Sequence, residues 1–257
     1  MLAYDVAVHL ARDVGSRPAG SAAERRALRY VEGRFEDAGL RVGRERFRIL
    51  GKGSSSDVIG VWDTPADCLV VLMAHTDSVP QAAGGDDNAS GVGVVAALAP
   101  RLKVLKPRCD VWLVATGAEE REWTGSPDHL GAAALVRRIR RLGRAGDLRY
   151  AVSLDMLGGQ GRFWLRSPRP SPGASDRAVL SAATAEKVRV RWVRDSATGN
   201  SDHRELAMAG FSASVLEVWR GDEPCHHLAC DTFKRVDAGS LSRAQRISER
   251  MLRKAAP

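Results

Sequence analysis

A histidine and an aspartate two positions apart, His75 and Asp77, follow an apolar run from Asp67 to Ala74 that reads as a buried strand. Asp87 comes next, in the Gly-rich turn Gly84-Gly85-Asp86-Asp87-Asn88 that opens an Ala/Val-rich helix from about Ser90 to Leu98. Backbone amides at a helix start favour an anion, so this turn is expected to hold Asp87 ionised and able to bind metal. Further strands deliver groups of the same kind: Glu119 and Glu120, then Asp155, then His227. Imidazoles mixed with carboxylates suit zinc, and a carboxylate can bridge a pair of ions about 3.5 to 4 Å apart. The adjacent glutamates can divide their work at a strand end. One can bind metal while the other aims at water as a general base. Buried without a cation among them, so many like charges would be very costly.

These groups need elements that bring strand ends together. Residues 3–14 read as a helix stopped by Gly15, and Ser21 with Glu24 forms a capping box for a helix whose buried face is Ala27, Leu28, Val31, Phe35 and Ala38. Arg44 to Leu50 is an expected edge strand, Gly51 to Ser56 a loop and Asp57 to Trp62 a strand. Later strands are expected at Asp110 to Ala115, Arg149 to Leu154, Gly161 to Arg166, Val188 to Val193 and Ser212 to Val218. Helices are expected at Leu130 to Leu142, Ser175 to Glu186 and from about Leu241. This alternation predicts an α/β fold, a three-layer α/β/α sandwich with a central mixed, mostly parallel sheet, in a single domain over residues 1–257. Such sheets bind ligands outside the carboxyl ends of their strands.

Composition narrows the partners. With 257 residues and 44% apolar content the chain can bury one large core, and no Ser/Pro-rich linker divides it. The net charge of +8 raises nucleic acid as a partner. The densest basic cluster, Arg137 to Arg141, argues against it, because Ala132, Leu135, Ile139 and Leu142 form the apolar stripe of that helix and leave the arginines as its solvated face. No nucleic acid and no membrane are expected, since no run reaches the roughly 18 apolar residues of a span. Met1 to Leu10 carries Asp5 and His9 rather than the pattern of an export signal, so the chain as given reads as cytoplasmic, or secreted if a leader was removed. Cys68 and Cys109 read as small core residues, while Cys225 and Cys230 could form a disulfide or stay reduced.

The motifs His75-Thr76-Asp77-Ser78, Gly85 to Gly91, Thr116 to Glu120, Leu154-Asp155-Met156 and His227 to Thr232 resemble those of the cocatalytic di-zinc aminopeptidases of the bacterial leucyl aminopeptidase type. The likeness extends to Gly15 to Gly20 and Ser201-Asp202-His203, and so spans nearly the whole chain. It implies that Asp87 bridges two Zn2+ ions, one completed by His75 and Asp155, the other by Glu120 and His227. Glu119 takes the place of the catalytic base and Asp77 that of the carboxylate orienting the His75 ring. The implied reaction is hydrolysis of the first peptide bond of substrates with a free N-terminus, by a zinc-bound hydroxide; a monomer is expected, because the motif set leaves no obvious dimerisation insert. Two departures bear on specificity: Glu122 stands where the family usually has Gly, and His226 where some members have a Tyr that helps the oxyanion.

Rival readings are weaker. Gly91-Val92-Gly93-Val94-Val95-Ala96 has the small residues of a dinucleotide site but follows an acidic turn rather than a strand, which favours close helix-sheet packing. Ser201-Asp202-His203 lacks a nucleophile elbow, and contiguous residues do not easily converge as a triad. A catalytically silent binding protein, or an amidohydrolase or carboxypeptidase on the same fold, remains the alternative function.

Overall fold

The computed structural model describes residues 2–195, 199–219 and 223–256. Its strands are β1 (Arg41–Ile49), β2 (Gly53–Trp62), β3 (Leu69–His75), β4 (Asp110–Thr116), β5 (Leu148–Leu154), β6 (Arg162–Ser167), β7 (Val190–Arg194) and β8 (Ala213–Trp219). Its helices are α1 (Leu2–Val8), α2 (Ala22–Asp37), α3 (Gly91–Leu98), α4 (Leu102–Leu105), α5 (Arg121–Thr124), α6 (Leu130–Arg141), α7 (Ala174–Ala185), α8 (His203–Met208) and α9 (Ala238–Lys254).

The strands form one mixed sheet in the order β1-β2-β4-β3-β5-β8-β6-β7. The centre is parallel, through β4/β3, β3/β5 and β5/β8, as is β6/β7, whereas β1/β2, β2/β4 and β6/β8 are antiparallel. Alternation along a strand sends successive side chains to opposite faces. On β3, Val70, Leu72 and Ala74 therefore join a core with α1, α2, α3, α7 and α9, while Leu69, Val71 and Met73 pack with Ala132, Leu135 and Ile139 of α6 and Leu206 of α8. The three-layer α/β reading holds. Among the described residues, no helix is long and apolar enough to cross a membrane.

Local differences have local causes. β2 begins at Gly53, so most of the expected 51–56 loop is strand, paired in register Ile49↔Gly53 to Arg46↔Ser56. The Ser21 hydroxyl accepts from the Glu24 amide at 3.0 Å, but the Glu24 carboxylate turns to the Gly20 amide at 2.7 Å and the Ser55 hydroxyl at 2.6 Å, so only half of the expected box forms. Gly91 and Gly93 serve packing: a Cβ at either would collide with the carbonyl of Leu154 or of Ala3. Cys68 and Cys109 are core residues as expected, but they are joined to each other. They are disulfide-bonded just before the parallel neighbours β3 and β4, and Cys225 is bonded to Cys230, so the chain's four cysteines are all paired.

Candidate metal centre

Parallel register levels the strand ends. His75 pairs with Thr116, and Leu154 pairs with Leu216, so the segments after β3, β4 and β5 leave the sheet at one rim. A cleft of about 970 Å3 opens there, lined by His75, Asp87, Glu119, Glu120, Asp155 and His227 among others.

Asp87 lies at the middle. Its Oδ1 is 3.2 Å from Nε2 of His75, and its Oδ2 is 3.3 Å from Nε2 of His227 and 3.3 Å from Nε2 of His226. On one side His75 Nε2 also lies 3.4 Å from Asp155 Oδ1; on the other, His227 Nε2 lies 3.0 Å from Glu120 Oε2. The sequence-predicted ligands are thus brought together, with Asp87 shared between two imidazole-carboxylate sets. Among the described residues, three groups have potential ligand atoms all within 4.8 Å of one another: His75, Asp87 and Glu120; His75, Glu119 and Asp155; and Asp87, His226 and His227.

The turn is fixed from below. Asp231 accepts from the amides of Asp86 at 2.8 Å and Asp87 at 3.0 Å, and the Asn88 side chain donates to the Leu154 carbonyl at 2.9 Å. The amides expected to favour an anionic Asp87 are therefore spent on Asp231, and Asp87 itself has non-helical backbone angles. Imidazoles do that work instead: burial opposes ionisation, but His226, His227 and His75 hold the Asp87 carboxyl well below the usual range. Beneath the turn, the fully buried Arg17 guanidinium donates to five backbone carbonyls, those of Thr76, Leu10, Gly15, Ala83 and Gly84, at 2.6 to 3.2 Å.

Asp77 is placed differently from a simple ring clamp. Its carboxylate accepts from the amides of Glu119 at 3.1 Å and Glu120 at 3.2 Å, and lies 3.7 Å from His75 Nδ1. The nearer atom to Nδ1 is the Asp77 main-chain oxygen, at 3.2 Å.

The charges at the cluster suit cations. Burial works against an imidazolium at His75, yet the carboxylates of Glu119 and Asp155 hold its pKa well above 6.5. At His227 burial is again outweighed, by Asp87 and Glu120, and the pKa is pushed up to about 11. Burial and the charge of Asp87 raise the Glu120 carboxyl well above 4.5. Asp155 Oδ1 and Glu120 Oε1 are buried without a hydrogen-bond partner. Mixed imidazole and carboxylate donors with orphaned oxygens between them fit zinc.

Neighbours of the cluster take roles that the sequence did not assign to them individually. The Ser201 hydroxyl donates to Asp155 Oδ2 at 2.8 Å, Asp202 accepts from the Thr116 hydroxyl, and His203 faces Asp195 at 2.7 Å, so these three side chains diverge and form no triad. The departures noted in the sequence sit against the centre: Glu122 Oε1 is 2.9 Å from His227 Nδ1, and His226 touches Asp87. His129, buried beside Glu119, carried no sequence signal beyond its place ahead of the α6 stripe.

Known proteins resemble this chain at two levels. Residues 57–252 match the model of peptidase family M28. Aminopeptidase YwaD of Bacillus subtilis strain 168 is 27% identical over 190 residues, covering 68% of this chain, and this chain spans only 38% of that relative's length. An aminopeptidase from Aneurinibacillus sp. strain AM-1 has a TM-score of 0.88 at 16% identity, covering 99% of this chain and 93% of that one. A glutaminyl cyclase from Bacteroides thetaiotaomicron, bound to N-acetylhistamine, has a TM-score of 0.86 at 18% identity, covering 99% and 97%. At such identities the solved structures speak for the fold.

Proposed function

This chain belongs to peptidase family M28, and from that premise we propose that it is a zinc-dependent aminopeptidase, releasing the first residue of peptides with a free N-terminus. The observation that carries the reading is Asp87, whose two oxygens face separate imidazole-carboxylate sets. His75, Asp87 and Asp155 would hold one zinc ion, and His227, Asp87 and Glu120 a second. Bound there, the ions would supply Lewis acidity, polarising the scissile carbonyl and acidifying a water molecule.

The chain's own residues do the rest. Glu119 lies beside this cluster and takes the proton of the attacking water, then delivers it to the leaving amine nitrogen as the C–N bond breaks. Asp77 holds the Glu119 and Glu120 amides, which fixes both side chains relative to His75. Ser201 holds one oxygen of Asp155 and leaves the other for metal. The name of the B. subtilis relative supports the aminopeptidase assignment. The glutaminyl cyclase neighbour sets the contrast that an experiment must resolve.

The test compares a free-amine peptide with an amine-blocked copy, with chelator and with zinc restored. Release of the first residue from the free-amine peptide alone, lost on chelation and rescued by zinc, is expected. Turnover of the blocked peptide alone would move the substrate class elsewhere. Cyclisation of an N-terminal glutamine without peptide cleavage would favour cyclase chemistry, and zinc binding without turnover a silent binding protein.

A further inference from the structure

Glu119 has a buried partner that the proposed metal centre does not require. Nε2 of His129 lies 3.1 Å from Glu119 Oε1, with the imidazole 4% exposed. On the far side of the ring, Nδ1 faces both Asp128 Oδ1 and Arg204 Nη1, each at 3.4 Å, and that guanidinium nitrogen also donates to the same Asp128 oxygen at 3.0 Å. Glu119 on one side of the His129 ring, and Asp128 with Arg204 on the other, thus hold it along the cleft wall.

The backbone is committed to this placement. His129 sits at φ 49°, a left-handed conformation that residues with a Cβ adopt sparingly and that clusters at functional sites. The amides of His129, Leu130 and Gly131 donate to the carbonyls of Glu119, Ala118 and Gly117 at 3.3, 2.9 and 3.0 Å, docking the first turn of α6 on the segment that carries Glu119. Gly131 permits this approach, since a Cβ there would lie 2.5 Å from the Gly117 carbonyl oxygen. Burial opposes an imidazolium at His129, but the charge of Glu119 prevails and raises its pKa to about 10.

We propose that His129 is a positioning residue for Glu119: its Nε2–H holds one carboxylate oxygen so that the other faces the water and then the leaving amine. The inference rests on the peptidase reading given above. One proton travels from water to Glu119 and on to the amine nitrogen, while His129 keeps its own protons. Asp128, anchored by Arg204, fixes the ring from the Nδ1 side.

The experiment measures kcat, KM and zinc content of His129→Phe and His129→Gln against wild type on the same free-amine peptide. Replacing the ring by Phe is expected to lower kcat about tenfold or more, the usual scale for an outer partner of a catalytic group, with KM and zinc content unchanged. Gln can present an amide donor to Glu119 and is expected to recover part of the loss. Should His129→Phe fail to fold, Asp128→Asn carries the test and is expected to lower kcat without raising KM. Unaltered kcat in the folded variants overturns the inference, and so does an equal loss in Phe and Gln accompanied by loss of zinc. A wild type that cleaves no free-amine peptide when loaded with zinc overturns the peptidase reading and the role of His129 with it.

Discussion

The main-chain oxygen of Asp77 lies nearer the outer nitrogen of His75 than its carboxylate does, at 3.2 Å against 3.7 Å. The carboxylate is engaged with the two amides of Glu119 and Glu120. Asp77→Asn would turn a donor toward one of those amides. We expect it to lower kcat about 10- to 100-fold and weaken zinc binding on the Glu120 side, read by steady-state kinetics and metal titration. Loss confined to the His75 side would show the carboxylate acting chiefly on the His75 ring.

Metal binding should strengthen as pH rises. In the metal-free protein His75 and His227 hold protons well above 6.5, the latter to about 11, and each must lose one to coordinate through Nε2. Calorimetric titration with zinc should show proton release that varies with buffer ionisation enthalpy. Zinc affinity that does not rise with pH would contradict protonated imidazoles in the free site.

Stability of the metal-free protein should move the other way. Burial raises the carboxyl of Glu24 to about 8, that of Asp202 to about 7 and that of Glu217 to about 7, so the folded form binds more protons than the unfolded form once pH exceeds the ordinary carboxyl range. A carboxyl raised on folding favours the fold below its unfolded pKa and loses that contribution as pH climbs through its folded value. Tm with chelator present should therefore fall between about pH 5 and about pH 8. A rising Tm over that window would contradict the raised carboxyls.

Arg17 stabilises the site through backbone carbonyls. Arg17→Met would remove the donors shared by Thr76, Gly84 and their neighbours, and a loss of about 3 kcal/mol or more is expected from urea unfolding. Zinc affinity should fall as well, because Ala83 and Gly84 lead directly into the Asp87 turn.

The two disulfides should respond unequally to reductant. Cys68 and Cys109 are fully buried, whereas Cys230 is exposed at the end of the short loop that carries His226 and His227. Mild reductant should open Cys225–Cys230 first and weaken zinc binding, as thiol mass tagging beside metal titration would show. Unchanged zinc affinity after that bond opens would mean the loop is held by its other contacts, such as Gln81 to the His227 carbonyl.

By itself the sequence determined the layer order and pointed to the acidic and imidazole groups at the strand ends, whose division into metal ligands came from the family resemblance. Short continuous apolar runs followed by His, Asp or Glu announce a buried parallel core with polar groups gathered at one rim, because that rule needs only local pattern. The partnerships around those donors were settled by tertiary structure. Asp231 reaches the amides of the Asp87 turn across 144 and 145 positions, Cys68 meets Cys109 across 41, and His129 turns back onto Glu119 through a left-handed residue. Such contacts depend on strand register, loop closure and the direction in which each side chain leaves the backbone. A carboxylate, a cysteine or a lone histidine has the same letter whether it binds metal, holds an amide or pairs with its neighbour, and only the packed fold supplies the partner.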